Sequence, residues 1–241
     1  MTLIRLPYAS RTASLVLLAG LSSLAQPALS QARELDSGVL VVSRGSEVIG
    51  REEFTLHRGQ LSEAGAGFVG AGFTVSATAY YPSSRSYASA ASVITFGADS
   101  QPAGARMDLE GNGQTTTFVD FTARRITVRH RTSAGESAGQ YPRSGRMLLI
   151  DDSILCLLTL LPGANSGPVT LFYPRSGQTI RAPLEDLGVE LTTVNGDERQ
   201  LQHVTLGTDD QIRHIWYDSR GHLIKVEIPA QNLIAVRSAR R

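Results

Sequence analysis

Phe73-Thr-Val-Ser-Ala-Thr-Ala-Tyr-Tyr81 alternates apolar and small polar side chains over nine positions. A period of two places Phe73, Val75, Ala77 and Ala79 on one face of a pleated strand and Thr74, Ser76 and Thr78 on the other. The same alternation recurs downstream. Ala105, Met107 and Leu109 are interleaved with Arg106, Asp108 and Glu110, and Ile126 and Val128 with Thr127, Arg129 and Arg131. Upstream, residues 39–42 (VLVV) and 47–57 (EVIGREEFTLH) read as a hairpin across Arg44-Gly45-Ser46.

Turn signals separate these runs: Gly111-Asn112-Gly113, Ser133-Ala134-Gly135, Ser176-Gly177, Asn195-Gly196, Gly207-Thr208-Asp209 and Ser219-Arg220-Gly221. Asn-Gly supplies the positive φ angles of a type I′ turn, whose twist matches antiparallel strands. Short strands at such spacing predict a meandering sheet, sandwich or barrel of roughly eleven to thirteen strands. One segment breaks the period. Asp151-Asp152-Ser153 precedes ILCLLTLL, which ends at Pro162-Gly163. Asp is a favourable N-cap, the Leu-rich run favours helix, and Pro-Gly stops it, so a short helix over 152–161 is expected. Apolar on every side, it must be buried, with Cys156 as a small core hydrophobe inside it.

The chain has 241 residues, 41% hydrophobic and 19% charged, an ordinary globular balance that excludes a disordered tail, a coiled coil and a multi-span helical membrane protein. A single cysteine excludes an intrachain disulfide framework and any multi-cysteine metal site. A formal charge of +1 does not give the electrostatic footprint of a nucleic-acid binder. Residues 1–30 have the order of a secretory signal peptide: Arg5 and Arg11, an apolar run from Thr12 to Ala25, then Ala28-Leu29-Ser30 with small residues at the −3 and −1 positions. Residues 31–241 are then expected to form one β-rich domain, exported to the periplasm or else secreted, without a transmembrane segment. Lys225 is the only lysine among 23 basic residues, a bias that matches GC-rich coding and leaves no Walker lysine after a glycine.

Several motifs look chemical and read better as structure. Gly65-Ala-Gly67-Phe-Val-Gly70 matches the dinucleotide fingerprint, but a polar stretch precedes it and an alternating strand follows, where the motif needs a buried strand and then a helix. Tyr-Pro-Arg-Ser-Gly occurs at 141–145 and again at 173–177; Pro presets a turn and Ser-Gly completes it, so Arg143 and Arg175 are expected on surface turns. His57, His130, His203, His214 and His222 show no metal-ligand spacing. Glu52 and Glu53 are strand neighbours, point to opposite faces and cannot form one catalytic dyad. No catalytic, cofactor-binding or metal residue emerges from the pattern.

The C-terminal hairpin reads from Gln211 to Pro229. Ile212, His214 and Trp216 share one face, and on the returning strand Ile224, Val226 and Ile228 share another. Its sequence IWYDSRGHLIKVEIP (215–229), followed by NLIAVR (232–237), resembles the closing strands of a family of secreted or periplasmic bacterial proteins of unknown function. Gly38-Val-Leu-Val-Val42 and Gly50-Arg-Glu-Glu-Phe54 are similar to that family's first hairpin. The resemblance implies an architecture like the curved-sheet lipoprotein-localisation factors, in which an antiparallel sheet wraps a helical plug around an apolar cavity. It brings no catalytic motif.

The expected fold is all-β, mainly antiparallel, a strongly curved sheet or open barrel with the 152–161 helix packed in its concavity. The expected function is non-enzymatic: an exported protein without a cofactor, holding a lipid or other amphipathic ligand in that concavity, with Trp216, Leu157 and Ile212 lining it. The alternatives are an envelope structural or assembly protein whose core is simply filled, and a hydrolase whose site is assembled from distant strands.

Overall fold

The computed structural model describes residues 33–61, 68–82, 87–111, 113–161, 165–208 and 211–238. The signal-peptide segment and the first half of the Gly65–Gly70 stretch lie outside them, and Phe68 opens a strand. The first eight strands are β1 (Glu34–Arg44), β2 (Glu47–Leu61), β3 (Phe68–Tyr80), β4 (Tyr87–Phe96), β5 (Pro102–Gly111), β6 (Gln114–Phe121), β7 (Arg125–Thr132) and β8 (Gly135–Pro142). The remaining seven are β9 (Met147–Leu149), β10 (Gly167–Tyr173), β11 (Gln178–Val194), β12 (Asp197–Leu206), β13 (Arg213–Tyr217), β14 (Leu223–Ile228) and β15 (Leu233–Arg237).

All fifteen belong to one sheet in the order β8-β7-β6-β5-β4-β3-β2-β1-β15-β14-β13-β12-β11-β10-β9. Two runs of meander are joined where the first strand pairs with the last, Leu40 opposite Arg237 and Arg44 opposite Leu233. The predicted all-β curved sheet is what the chain forms, with more strands than the alternation showed. The excess comes from elements without a readable pattern. Strand β8 (GESAGQYP) is largely exposed and β9 has three residues.

The turns follow their residues. Gly45 has φ +58 in the first hairpin, and Asn195 and Gly196 have φ +53 and +87, the two positive angles a type I′ turn requires. One face of the sheet supplies the main core, including Leu40, Val42, Phe54, Val75, Ala77, Ile94, Met107, Ile126, Val128, Ile215 and Val226. The sheet curls without closing its ladder. Its two ends meet through side chains: Phe172 of β10 makes an edge contact with Phe121 of β6 at 6.0 Å and a tilted contact with Tyr141 of β8 at 5.6 Å. On the free side of β9, the Met147 amide donates to Gln101 Oε1 at 2.8 Å, so an edge backbone group is capped by a turn from the other half.

Strands β9 and β10 are parallel, and such a pair needs a crossover rather than a tight turn. The crossover carries the Leu-rich segment inward. The short helix expected over 152–161 is a 3₁₀ helix, Leu155–Leu160. Neither Asp151 nor Asp152 caps it; the N-cap residue is Ile154, with no side-chain cap of its own. The local Asp does something else, since Asp151 Oδ1 accepts the Ser153 amide at 2.9 Å and shapes the approach.

Gly50 shows how tightly the inner face is filled. A Cβ there would lie 2.4 Å from the Tyr81 ring and 2.5 Å from the Tyr80 carbonyl. Gly50→Ala is therefore expected to lower stability by about 1–3 kcal/mol through overpacking, measured by urea unfolding, with the loss confined to midpoint rather than slope.

Candidate functional site

Glu52 is a carboxylate with no exposure to solvent. Strand alternation sends it inward and Glu53 outward, as the sequence required, and Glu52 is fully buried while Glu53 is exposed. Its Oε1 accepts the Leu155 amide at 2.9 Å and the Tyr81 hydroxyl at 2.7 Å, and its Oε2 accepts the Cys156 amide at 3.0 Å. The first amides of a helix lack internal partners, and here a carboxylate from another part of the chain satisfies two of them. Complete burial pushes the Glu52 carboxyl up to about 7, against the pull of these donors. Burial, with Glu52 alongside, also raises the Cys156 thiol well above its ordinary value, the state of an inert core cysteine. Further along the helix, the Tyr217 hydroxyl donates to the Leu158 carbonyl at 2.7 Å.

Two arginines fix the approach to this plug. Arg175 contacts the buried Asp151 at 2.8 Å and donates to Ser153 Oγ at 2.9 Å. Arg213, itself buried, reaches Asp152 at 2.6 Å and the Tyr173 hydroxyl at 3.2 Å. The Tyr-Pro-Arg-Ser-Gly repeats do make turns, with Gly145 at φ +64 and Gly177 at φ +69; Arg175 is exposed as expected, although its guanidinium pairs with a buried carboxylate, and Arg143 is half-buried. The copies also adjoin at the seam: a Cβ on Gly177 would meet the Tyr141 hydroxyl. Arg143 lies over the Phe121 ring at 5.5 Å and donates to the Thr122 carbonyl.

The three residues expected to line one cavity are not together. Leu157 is in the plug, within the main core. Ile212 is half-buried, one residue ahead of β13. Trp216 alternates to the opposite face from Ile215 and Tyr217 and belongs to a separate small core with Val194, Leu201 and Ile224, against which Val236 packs. The pairing shift after Trp216 explains the rest of that hairpin. Trp216 faces Lys225 but Tyr217 faces Leu223, so Ile224 is displaced to the outer face and Leu223 joins Val226 and Ile228 inside.

The outer small core has its own polar lining. Trp216 Nε1 donates to Glu190 at 2.6 Å, its ring stacks on His203 at 4.6 Å, and Lys225 lies 4.7 Å from the indole. Hydrogen bonding from Trp216 lowers the Glu190 carboxyl. Away from this core, His222 contacts Asp218 at 3.0 Å in the β13–β14 turn, where Asp218 also accepts the Arg220 and His222 amides.

A groove of about 870 Å³ crosses the outer face of β1–β4. Its floor follows from register. Ser37, Thr55, Ser76 and Val93 form one row across the four strands, and Val39, Glu53, Thr78 and Ala91 the next. Apart from Glu53, no side chain in these rows is larger than valine, so the surface is a shallow bed of methyl and hydroxyl groups. Arg51, paired with Glu53 at 3.2 Å, borders it. A second cleft of about 620 Å³ lies along the single β10–β11 hairpin, lined by Pro168, Ala182, Pro183 and Leu184. Sequence reading missed the groove because its residues are individually unremarkable; only the cross-strand register brings them together.

An open, barrel-like antiparallel sheet of this kind is shared with a solved structure. The fold is similar to the crystal structure of a β-barrel-like protein of the domain of unknown function DUF1849 from Brucella abortus, with a TM-score of 0.50, 10% identity, and coverage of 84% of this chain and 94% of that one. The likeness supports a relation in architecture to an uncharacterised antiparallel-β family. The sequence matches no protein-family model and no curated protein.

Two measurements test the plug. Arg175→Ala leaves the buried Asp151 carboxylate without its cation and should cost about 3 kcal/mol, whereas Arg143→Ala should cost less than about 1 kcal/mol; chemical denaturation of both variants decides. Glu52, an acid whose folded value is raised, binds protons more readily in the native state. Its contribution to stability is complete below about pH 4.5 and declines as pH rises to about 7. Urea midpoints across that window should fall for the parent protein more than for Glu52→Gln, whose own stability is lower throughout.

Proposed function

We propose that this chain is an exported, non-enzymatic binding protein that carries an amphipathic ligand, such as a fatty acid or lysophospholipid, in the groove across the outer face of β1–β4. The observation that carries the reading is the contrast between the two faces. The inner face, where an enclosed cavity was expected, is occupied by the plug and a continuous apolar core. The outer face of β1–β4 presents a groove whose floor is aliphatic and whose hydroxyls, Ser37, Thr55, Ser76 and Thr78, suit the polar part of an amphiphile. Residues 1–30 read as an export signal, and among the described residues no helix is long and apolar enough to cross a membrane. The buried carboxylates have structural partners, Glu52 in the plug's first amides and Asp151 in Arg175, which supports binding rather than catalysis.

The filled interior also favours one alternative, an envelope structural protein without a small ligand. A single experiment separates them. Protein recovered from the periplasmic fraction should begin near Gln31 and carry a lipid by native mass spectrometry, and a photoreactive fatty acid should label peptides of β2–β4. Ala91→Trp, a bulky side chain on an exposed position in the groove floor, should abolish labelling while leaving the thermal midpoint nearly unchanged. Lipid-free protein with no saturable labelling supports the structural alternative, and labelling confined to the β10–β11 hairpin overturns the assignment of the groove.

A further inference from the structure

The β11–β12 hairpin is bent at a bulge, where pairing slips between Asp186 and Gly188. Gly188 has φ +86, and its amide donates to Asp186 Oδ1 at 2.9 Å. Beyond the bulge the hairpin lies over the outer face of β13–β15. Val194 and Leu201 pack on Trp216 and Ile224, and at the tip Asn195 Nδ2 donates to the Arg237 carbonyl. Its other face is left to solvent, with Leu187, Val189 and Leu191 exposed at 56%, 66% and 61%.

Between hairpin and sheet sits a chain of three titratable groups, one from each of three neighbouring strands: Glu190 on β11, His203 on β12 and His214 on β13. Glu190 Oε1 is 3.2 Å from His203 Nδ1, and His203 Nε2 is 3.0 Å from His214 Nδ1. We propose that this chain is an acid-opened latch, in which protonation of the His203–His214 pair releases the distal hairpin and uncovers the apolar surface of Trp216, Ile224 and Val236.

The argument is one of counting hydrogens. A nitrogen–nitrogen contact of 3.0 Å holds one proton. In the neutral pair His203 keeps its hydrogen on Nδ1, facing the carboxylate, and accepts from His214 Nδ1. One added proton is accommodated, because the contact between the rings still holds a single hydrogen and the added charge lies beside the Glu190 carboxylate, 3.2 Å from His203. A second has no place, because both nitrogens at the contact would then carry hydrogen.

The surroundings oppose that second proton. Burial and the neighbouring His203 hold His214 below its ordinary range. From β14, Lys225 adds positive charge over the indole, while Glu227, opposite His214 in register, is engaged by Lys225 at 2.6 Å. At the hairpin tip Arg199 and Asp197 face each other at 3.6 Å. The sign follows. The closed state binds fewer protons at His214 than the open state, so closure is fully favoured above the ordinary histidine range and lost as pH falls below it. The lowered Glu190 carboxyl acts in the same direction at lower pH.

Hydrogen exchange of the full chain, corrected for intrinsic rates and compared between pH 7.5 and pH 5, tests the latch. Amides of Thr192–Leu201 should lose protection severalfold on acidification, where tenfold corresponds to about 1.4 kcal/mol. Those of Ile215 and Val226 should remain protected, and Trp216 emission should shift to the red in the same pH range. His214→Asn should remove the pH dependence. If that variant leaves the hairpin open at both pH values, Glu190→Gln provides the second reading: it keeps an acceptor for Trp216 but removes the negative charge beside the imidazole pair, and it should move opening to higher pH. Equal hairpin protection at both pH values, a simultaneous loss of protection throughout the sheet, or an unshifted Glu190→Gln variant would each overturn the proposal.

Discussion

The carboxylate of Glu52 meeting the first amides of the plug is the contact on which the interior is organised. Three parts of the chain converge there: β2 supplies the acceptor, Tyr81 after β3 a hydroxyl donor, and the β9–β10 crossover the two amides. A curved sheet of this length encloses more space than its own inward side chains fill. The 3₁₀ segment fills it, and its unpaired amides would be costly in an apolar interior without a partner. The acceptor lies more than 100 residues from the amides it satisfies, so plug and sheet specify each other. Gly50 belongs to the same arrangement, since only its missing side chain lets Tyr81 lie across β2 to reach Glu52.

Strand content was legible because period-two alternation is local and repeated, as in Phe73–Tyr81 and Arg106–Glu110. The plug was half legible. Its apolar composition showed that it must be buried, but the capping group was sought in Asp151 and Asp152, immediately before it. Those aspartates face Arg175 and Arg213 instead, because a parallel crossover turns them towards the strands it joins. Trp216 illustrates the limit of parity. Alternation correctly grouped His214 with Trp216, but which face was the interior depended on the bent β11–β12 hairpin, and Ile224 changed sides through a bulge with no sequence signature. The outer groove was invisible for a related reason: Val39, Thr55, Ser76 and Ala91 become neighbours only through the registers of three strand pairs.

The two apolar clusters differ in how they are secured. The main core is continuous around the inner face and is fastened at its ends by aromatic contacts across the seam. The outer one has four buried apolar residues and depends on a surrounding set of charges and imidazoles.

Pairing of the first strand with the last also governs how the chain can acquire its structure. Most neighbouring strands in each half are joined by short turns and can form as soon as they emerge. The bond between the halves cannot, because β1 waits for β15 across nearly the whole sequence, and Asp36 waits for Arg237, whose guanidinium donates to it at 3.0 Å. Such a long-range closure is slow to nucleate and comes late. A nascent chain short of residue 233 therefore consists of two partial meanders with exposed edges, without the strand that makes them one sheet. The architecture itself postpones completion of the sheet until its last strand has been made.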